Sequence, residues 1–212
     1  MKMRKFWPLL MAGSVGAMGL SSASAENFQL LVGSYTANTS QGLYRMNFDS
    51  ATGQIAAKPL QVVKSENPSW LTLSKDQRRL FVVNENGPGQ KDPVGRVSSY
   101  SIDPKTHTLT LINQVQSLGN EPTHSSLSAD ASHLFVSNYS VMEDPGGTLA
   151  VLPVGADGKL KPVVQMSAHP ASRVNLERQA SNHVHSTVSS PDDRYVFSND
   201  LGADKVFVYL FD

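Results

Sequence analysis

Three stretches of this chain repeat one pattern, and a repeat confines a fold to architectures assembled from copies of a single unit. The stretches are Asn67–Asp76, Glu121–Asp130 and His183–Asp192, each ending in a Ser-x-Asp turn at Ser74, Ser128 or Ser190. Short apolar runs follow, Leu80–Asn84, Leu134–Asn138 and Val196–Asp200, and ten positions after each serine stands Asn84, Asn138 or Asp200. A third apolar run comes next in every unit, at Val97–Ile102, Leu149–Leu152 and Val206–Tyr209. Thr52-Gly53 and Asp157-Gly158 then mark turns into a fourth strand. Four short strands per unit, with no helical periodicity, predict an all-β fold and specifically a β-propeller. A β-sandwich with chance similarity among its hairpins is the alternative. The Gly-His and Trp-Asp marks of the commonest propeller repeat are missing, so the repeat is of another type.

The first unit is incomplete. Leu30–Ser34 matches the second strand of the other units, and the chain ends at Asp212 within the third strand of the fourth. That makes about three and a half blades, fewer than the four to eight that propellers use. An open arc leaves unpaired edges and bare blade faces, so either the chain is a truncated product or self-association covers them.

Upstream, Lys2, Arg4 and Lys5 precede an apolar stretch from Phe6 to Leu20, and Ala23-Ser24-Ala25 supplies small residues for cleavage. This is the grammar of a secretory leader over residues 1–25, with residues 26–212 left as an exported partial propeller, periplasmic or secreted. An uncleaved anchor is the alternative, but Pro8 and several glycines interrupt a stretch already short for a bilayer. No later run approaches membrane length. The 18 basic and 18 acidic side chains give no surplus for displacing counterions from nucleic acid. With no cysteine in the sequence, disulfides and thiolate chemistry are excluded.

In detail the sequence resembles the lactonase family of seven-bladed propellers, which includes propeller-type 6-phosphogluconolactonases and carboxymuconate-lactonising enzymes. The motifs run from Val32-Gly33-Ser34-Tyr35 and Gly42-Leu43-Tyr44 through Asn67-Pro68-Ser69, Val83-Asn84-Glu85, Val97-Ser98-Ser99-Tyr100 and Asn138-Tyr139-Ser140. They end in Arg178-Gln179, His183-Val184-His185-Ser186, Ser190-Pro191-Asp192 and Asp200-Leu201-Gly202. The match covers residues 28–212 and corresponds to the N-terminal half of a family member. Ser74-Lys75-Asp76-Gln77 departs from the usual Ser-Pro-Asp-Gly turn, and Asn182 stands where proline commonly precedes the histidines. Val141 to Pro145 read as an insertion.

The resemblance implies a lactone hydrolase acting on a sugar-acid lactone, 6-phosphogluconolactone or gluconolactone, with no cofactor. Opening a cyclic ester needs an activated water and stabilisation of the oxyanion that forms. An imidazole titrates near neutrality and suits the proton transfer, and the resemblance implies that His185, six residues before Pro191, is the candidate catalytic residue. In a strand His183 shares its face. The pair could bind metal or simply line the channel through hydrogen bonds, and no third ligand is evident; no metal is expected. Arg178 is the candidate substrate-anion ligand, against a loop arginine paired with Glu177 or solvent. Asp200, His124 and Glu85 complete the candidate substrate-binding set. For Asp200 the alternative is turn satisfaction, and for His124 it is packing. Glu121 reads as a solvated loop residue. The rival to a lactonase is a non-catalytic exported propeller that presents a surface to a protein or glycan.

Overall fold

A computed structural model describes residues 27–142 and 146–212. The expected leader at 1–25 lies outside them, as do residues 143–145 of the expected insertion. Every element among the described residues is a β-strand, and the strands form four antiparallel sheets. The first sheet holds β1 (Asn27–Gly33), β2 (Gly42–Asp49), β3 (Gln54–Ile55) and β4 (Gln61–Lys64). β3 and β4 both pair with β2, one at each end, as a single outer strand interrupted near Pro59. The second sheet runs β5 (Pro68–Leu73), β6 (Arg79–Asn84), β7 (Arg96–Ile102) and β8 (Leu109–Gln116) in order. The third runs β9 (Pro122–Leu127), β10 (His133–Asn138), β11 (Thr148–Pro153) and β12 (Gln165–Ala168). The fourth holds β13 (Val184–Ser189), β14 (Tyr195–Asp200) and β15 (Lys205–Leu210).

β9 touches β5 on one side and β13 on the other, and the three are the inner strands of successive blades. By register β1 corresponds to β6, so the first sheet lacks an inner strand and the fourth lacks an outer one, as the repeat implies. The turn at Asp157-Gly158 does not lead straight into a strand. Leu160 makes an isolated bridge with Val154, because its amide and carbonyl are taken by the Asn113 side chain of the neighbouring sheet.

The Ser-x-Asp turns form one structure three times. Ser74, Ser128 and Ser190 donate their hydroxyls to Asp76, Asp130 and Asp192 at 2.6, 2.7 and 2.6 Å. The same hydroxyls accept the amides of Arg79, His133 and Tyr195 at 2.9–3.0 Å. These bonds satisfy the chain as it enters the second strand of each blade.

The core lies between sheets rather than within them. Leu43, Leu80, Val82, Tyr100 and Leu109 fill the first seam. Phe81, Val83, Val97, Leu134, Val136, Ala150 and Leu152 fill the second. Phe135, Leu149 and Val196 fill the third. Successive residues of a strand point to opposite faces, so β6 feeds two seams at once and all of its apolar residues are buried.

Candidate functional site

Each inner strand carries an extra residue at the same place. The pairing of β5 with β6 passes from Pro68 opposite Asn84 to Trp70 opposite Val83, leaving Ser69 unmatched. Thr123 is likewise unmatched between β9 and β10, and His185 between β13 and β14. A bulge bends its strand and re-aims the extra side chain. Here all three extra residues line one cleft of ≈ 300 Å³, with Gly33, Ser34, Tyr35, Pro68 and Glu85. Thr123 Oγ1 donates to the His185 carbonyl at 3.1 Å, tying adjacent bulges together. The His185 side chain is exposed to the cleft.

His183 does not share that exposure. It is buried, its Nδ1 donates to the Ser140 carbonyl at 2.6 Å, and its ring stacks on Tyr139 with centroids 4.7 Å apart. The carbonyl partner fixes the hydrogen on Nδ1 in the neutral ring and leaves the lone pair on Nε2. Tyr139 also meets the His185 ring edge-on at 5.9 Å, and its hydroxyl accepts a hydrogen bond from Arg178 Nη2 at 3.3 Å. Tyr139 therefore joins three residues that the sequence singles out: His183, His185 and Arg178.

Across the cleft the groups are acidic. Tyr35 is 55% exposed, yet desolvation, a hydrogen bond with Glu85 and the charges of Glu85 and Glu121 push its phenol up to about 12. Glu121 is not the solvated loop residue that the sequence suggests. Its carboxylate is half-buried and accepts the Val141 amide at 2.8 Å. Burial and repulsion from Glu85 raise its pKa against the pull of that bond and of His183.

The remaining candidates sit in the seams. His124 lies tilted against Trp70, with ring centroids 4.3 Å apart and planes 37° from parallel, and its Nδ1 accepts the Thr187 amide at 3.3 Å. Burial, then the charge of His185, holds its pKa below the usual histidine value. Asp200 is buried, accepts the amides of His183 and Ala203, and pairs with His169 at 2.7 Å. Desolvation acts to raise its pKa, but those hydrogen bonds outweigh it and the carboxyl stays below its ordinary range. Asp200 also borders a second cleft of ≈ 500 Å³ with His185, Gln179 and Lys205. Among the described residues no three His, Asp or Glu side chains converge as a metal-binding group.

Sequence reasoning missed Tyr35, Glu121 and Tyr139 as site residues. A signal was present for Tyr139: like Glu85, it directly follows the Asn that closes the second strand of its blade. The assembled cleft offers an imidazole with open access and a guanidinium–phenol pair beside it. Facing them are two hydroxyls on bulges and the Glu85 carboxylate, with Glu121 outside the lining but near enough to act on Glu85 by charge. That set can take a proton from water and orient a polyhydroxylated ring.

Comparisons with known proteins bear on the fold and the family. Residues 29–212 match the family model described as lactonase, 7-bladed β-propeller. The 6-phosphogluconolactonase of Bacillus subtilis is 31% identical over 178 residues, covering 84% of this chain and 48% of the relative. That of Formosa agariphila is 30% identical over 177 residues, covering 82% and 47%. Among solved structures, the periplasmic gluconolactonase PpgL of Pseudomonas aeruginosa superposes with a TM-score of 0.82 at 55% identity, over 87% of this chain and 50% of that one. The chain thus spans about half the length of the relatives it matches. On its sequence, its sheets and these likenesses, it belongs to the lactonase family of seven-bladed β-propellers.

Proposed function

We propose that this cleft serves the hydrolysis of a sugar-acid lactone, and that unphosphorylated gluconolactone suits it better than the 6-phospho form. The observation that carries the reading is the bulge that turns His185 into the cleft beside Tyr139 and Arg178. His185 takes a proton from water as the water oxygen attacks the lactone carbonyl. The ring C–O bond then breaks, and the departing alkoxide recovers the proton from the imidazolium, so charge and atoms balance. Arg178 donates to the Tyr139 oxygen, which leaves the Tyr139 hydroxyl hydrogen available to a substrate oxygen. Glu85 accepts a hydrogen bond from a ring hydroxyl, and the negative charges of Glu85 and the nearby Glu121 disfavour a phosphate dianion. The leader grammar and the 55% identity with a periplasmic gluconolactonase support a periplasmic setting.

The test follows acid release from glucono-1,5-lactone at constant pH, for the chain and for His185→Ala. Saturable acceleration over buffer is expected, falling about 100-fold or more in the variant, since general-base catalysis contributes on that order. The 6-phospho substrate should be slower. A chain that neither accelerates opening nor shows a shift of the His185 resonances with gluconate would sink this reading. It would point instead to a propeller that binds some other ligand.

A further inference from the structure

The amide that enters each bulge is held differently in the blade that carries His185. In the second sheet the Asn67 amide reaches Thr36 Oγ1 of the first sheet's side at 3.4 Å. In the third the Glu121 amide donates to the Asn86 carbonyl at 2.8 Å. Both bonds cross a seam. In the fourth sheet the His183 amide instead donates to Asp200 Oδ1 of its own sheet at 2.8 Å. The residues equivalent to Asp200 are neutral and do other work: Asn84 donates to Ser65 and Glu66, and Asn138 to Ser117 and Thr148.

Asp200 is itself clamped. His169 lies beyond β12, on the segment that crosses to β13, and its Nδ1 donates to Asp200 Oδ2 at 2.7 Å. Its Nε2 accepts from the Tyr209 hydroxyl at 2.6 Å, and its ring lies flat on Phe207 with centroids 3.6 Å apart and planes 2° from parallel. One neutral tautomer, with hydrogen on Nδ1, satisfies both nitrogens. A carboxylate with one oxygen fixed by His169 has little freedom to turn, so its other oxygen is aimed at the His183 and Ala203 amides. The Leu201 amide closes the same corner on the His183 carbonyl at 2.9 Å.

We infer that His169 is a positioning residue for the lactone-opening site. It orients Asp200, Asp200 fixes the backbone at His183, and that anchor sets the bulge that presents His185. Nothing in this chain touches substrate through His169. The inference rests on the lactonase reading only for its effect on catalysis; its structural content is independent.

The test uses the whole chain and three variants. His169→Phe keeps the stacked ring and loses both hydrogen bonds. His169→Asn returns a donor near the Nδ1 position. Tyr209→Phe removes only the outer bond. Amide hydrogen exchange at His183 is expected to quicken about 10-fold in His169→Phe, with the His185 ring resonances displaced, since one buried hydrogen bond is worth about that factor. His169→Asn should return exchange to within about twofold of the wild-type chain, and Tyr209→Phe should fall between. Lactone turnover should lose kcat at unchanged KM in His169→Phe and regain it in His169→Asn. The exchange readout stands even for a chain that opens no lactone, so this inference and the lactonase reading can fail separately. Wild-type exchange at His183 in His169→Phe overturns the inference; if that variant does not fold, wild-type exchange in Tyr209→Phe does so.

Discussion

β6 and β15 are similar in sequence and opposite in fate. Leu80, Phe81, Val82 and Val83 of β6 are all buried, with two residues feeding the seam on each side. Val206, Phe207, Val208, Tyr209 and Leu210 of β15 make as apolar a run, yet Val206, Val208 and Leu210 are 59%, 56% and 75% exposed. Phe207 and Tyr209 lie toward the third sheet and its His169, while the other three face away from any described sheet. In the third blade the residues corresponding to Val206 and Val208 are Leu149 and Val151, and both pack in the seam that the fourth sheet closes. A propeller strand is thus buried by its neighbouring blades and not by its own composition.

The largest effect that can break this comparison comes from matched truncations. Phe81→Ala should cost about 3–5 kcal/mol, the range for deleting a buried aromatic ring between two packed surfaces. Val208→Ala should stay within about 0.5 kcal/mol, as exposed positions do. Urea denaturation of both variants measures the gap. Equal costs would mean that the outer face of the fourth sheet is covered in solution.

The same contrast separates what the sequence discloses from what it hides. The repeat predicts the blade units, their strand order and the missing inner strand of the first sheet, because turn residues and apolar runs are written locally. The Ser-x-Asp turns follow for the same reason. The bulges at Ser69, Thr123 and His185 are not legible, since a bulge is a mismatch in register between two strands and neither strand spells it alone. The sequence singles out His185 and Arg178 through their chemistry and the family resemblance. Tyr139, which joins them, is hidden because stacking and edge contacts arise only when adjacent blades are brought together. Glu121 misleads in the same way: it is a loop carboxylate in sequence and a half-buried one against Val141 in space.

A smaller effect distinguishes the turns of the third and fourth blades. Asp76, Asp130 and Asp192 are all held below the ordinary carboxylate range, first by the serine hydroxyl and then by a backbone amide. Asp130 is lowered furthest, to about 2. A carboxyl whose folded pKa is depressed contributes stability above its unfolded pKa and loses it as pH falls through the folded value. Asp130 is exposed, so solvent screening keeps the effect well below the full worth of the shift: Asp130→Asn should cost about 1 kcal/mol or less at neutral pH, with the cost shrinking from about pH 4 down to about pH 2. Asp192→Asn should cost less. Denaturation midpoints between those pH values test the order, and a constant cost across them would exclude the ionised carboxylate as its source.

The smallest effect is also the sharpest, because two turns of the same shape should respond with opposite signs. Ala131 and Asp193 follow Asp130 and Asp192, and both hold φ near +57°, at 57° and 56°. A side chain is strained there and glycine is not. At Ala131 the side chain is a methyl with no hydrogen-bonding group to lose, so Ala131→Gly should gain about 0.5 kcal/mol, the relief of strain less the extra freedom of the unfolded chain. At Asp193 the side chain does carry one: its Oδ2 accepts the amides of Ala129 and Asp130 in the third blade at 2.6 and 3.2 Å. Asp193→Gly removes the same strain but opens that clamp, so it should destabilise by about 0.5–1 kcal/mol. If both substitutions stabilise, the clamp contributes nothing and the third and fourth blades are joined by apolar packing and by the other hydrogen bonds between them, such as Ser137 with Thr187 and Ser189 with the Leu127 carbonyl. Opposite signs would show that two turns identical in local geometry differ only through the blade each one touches.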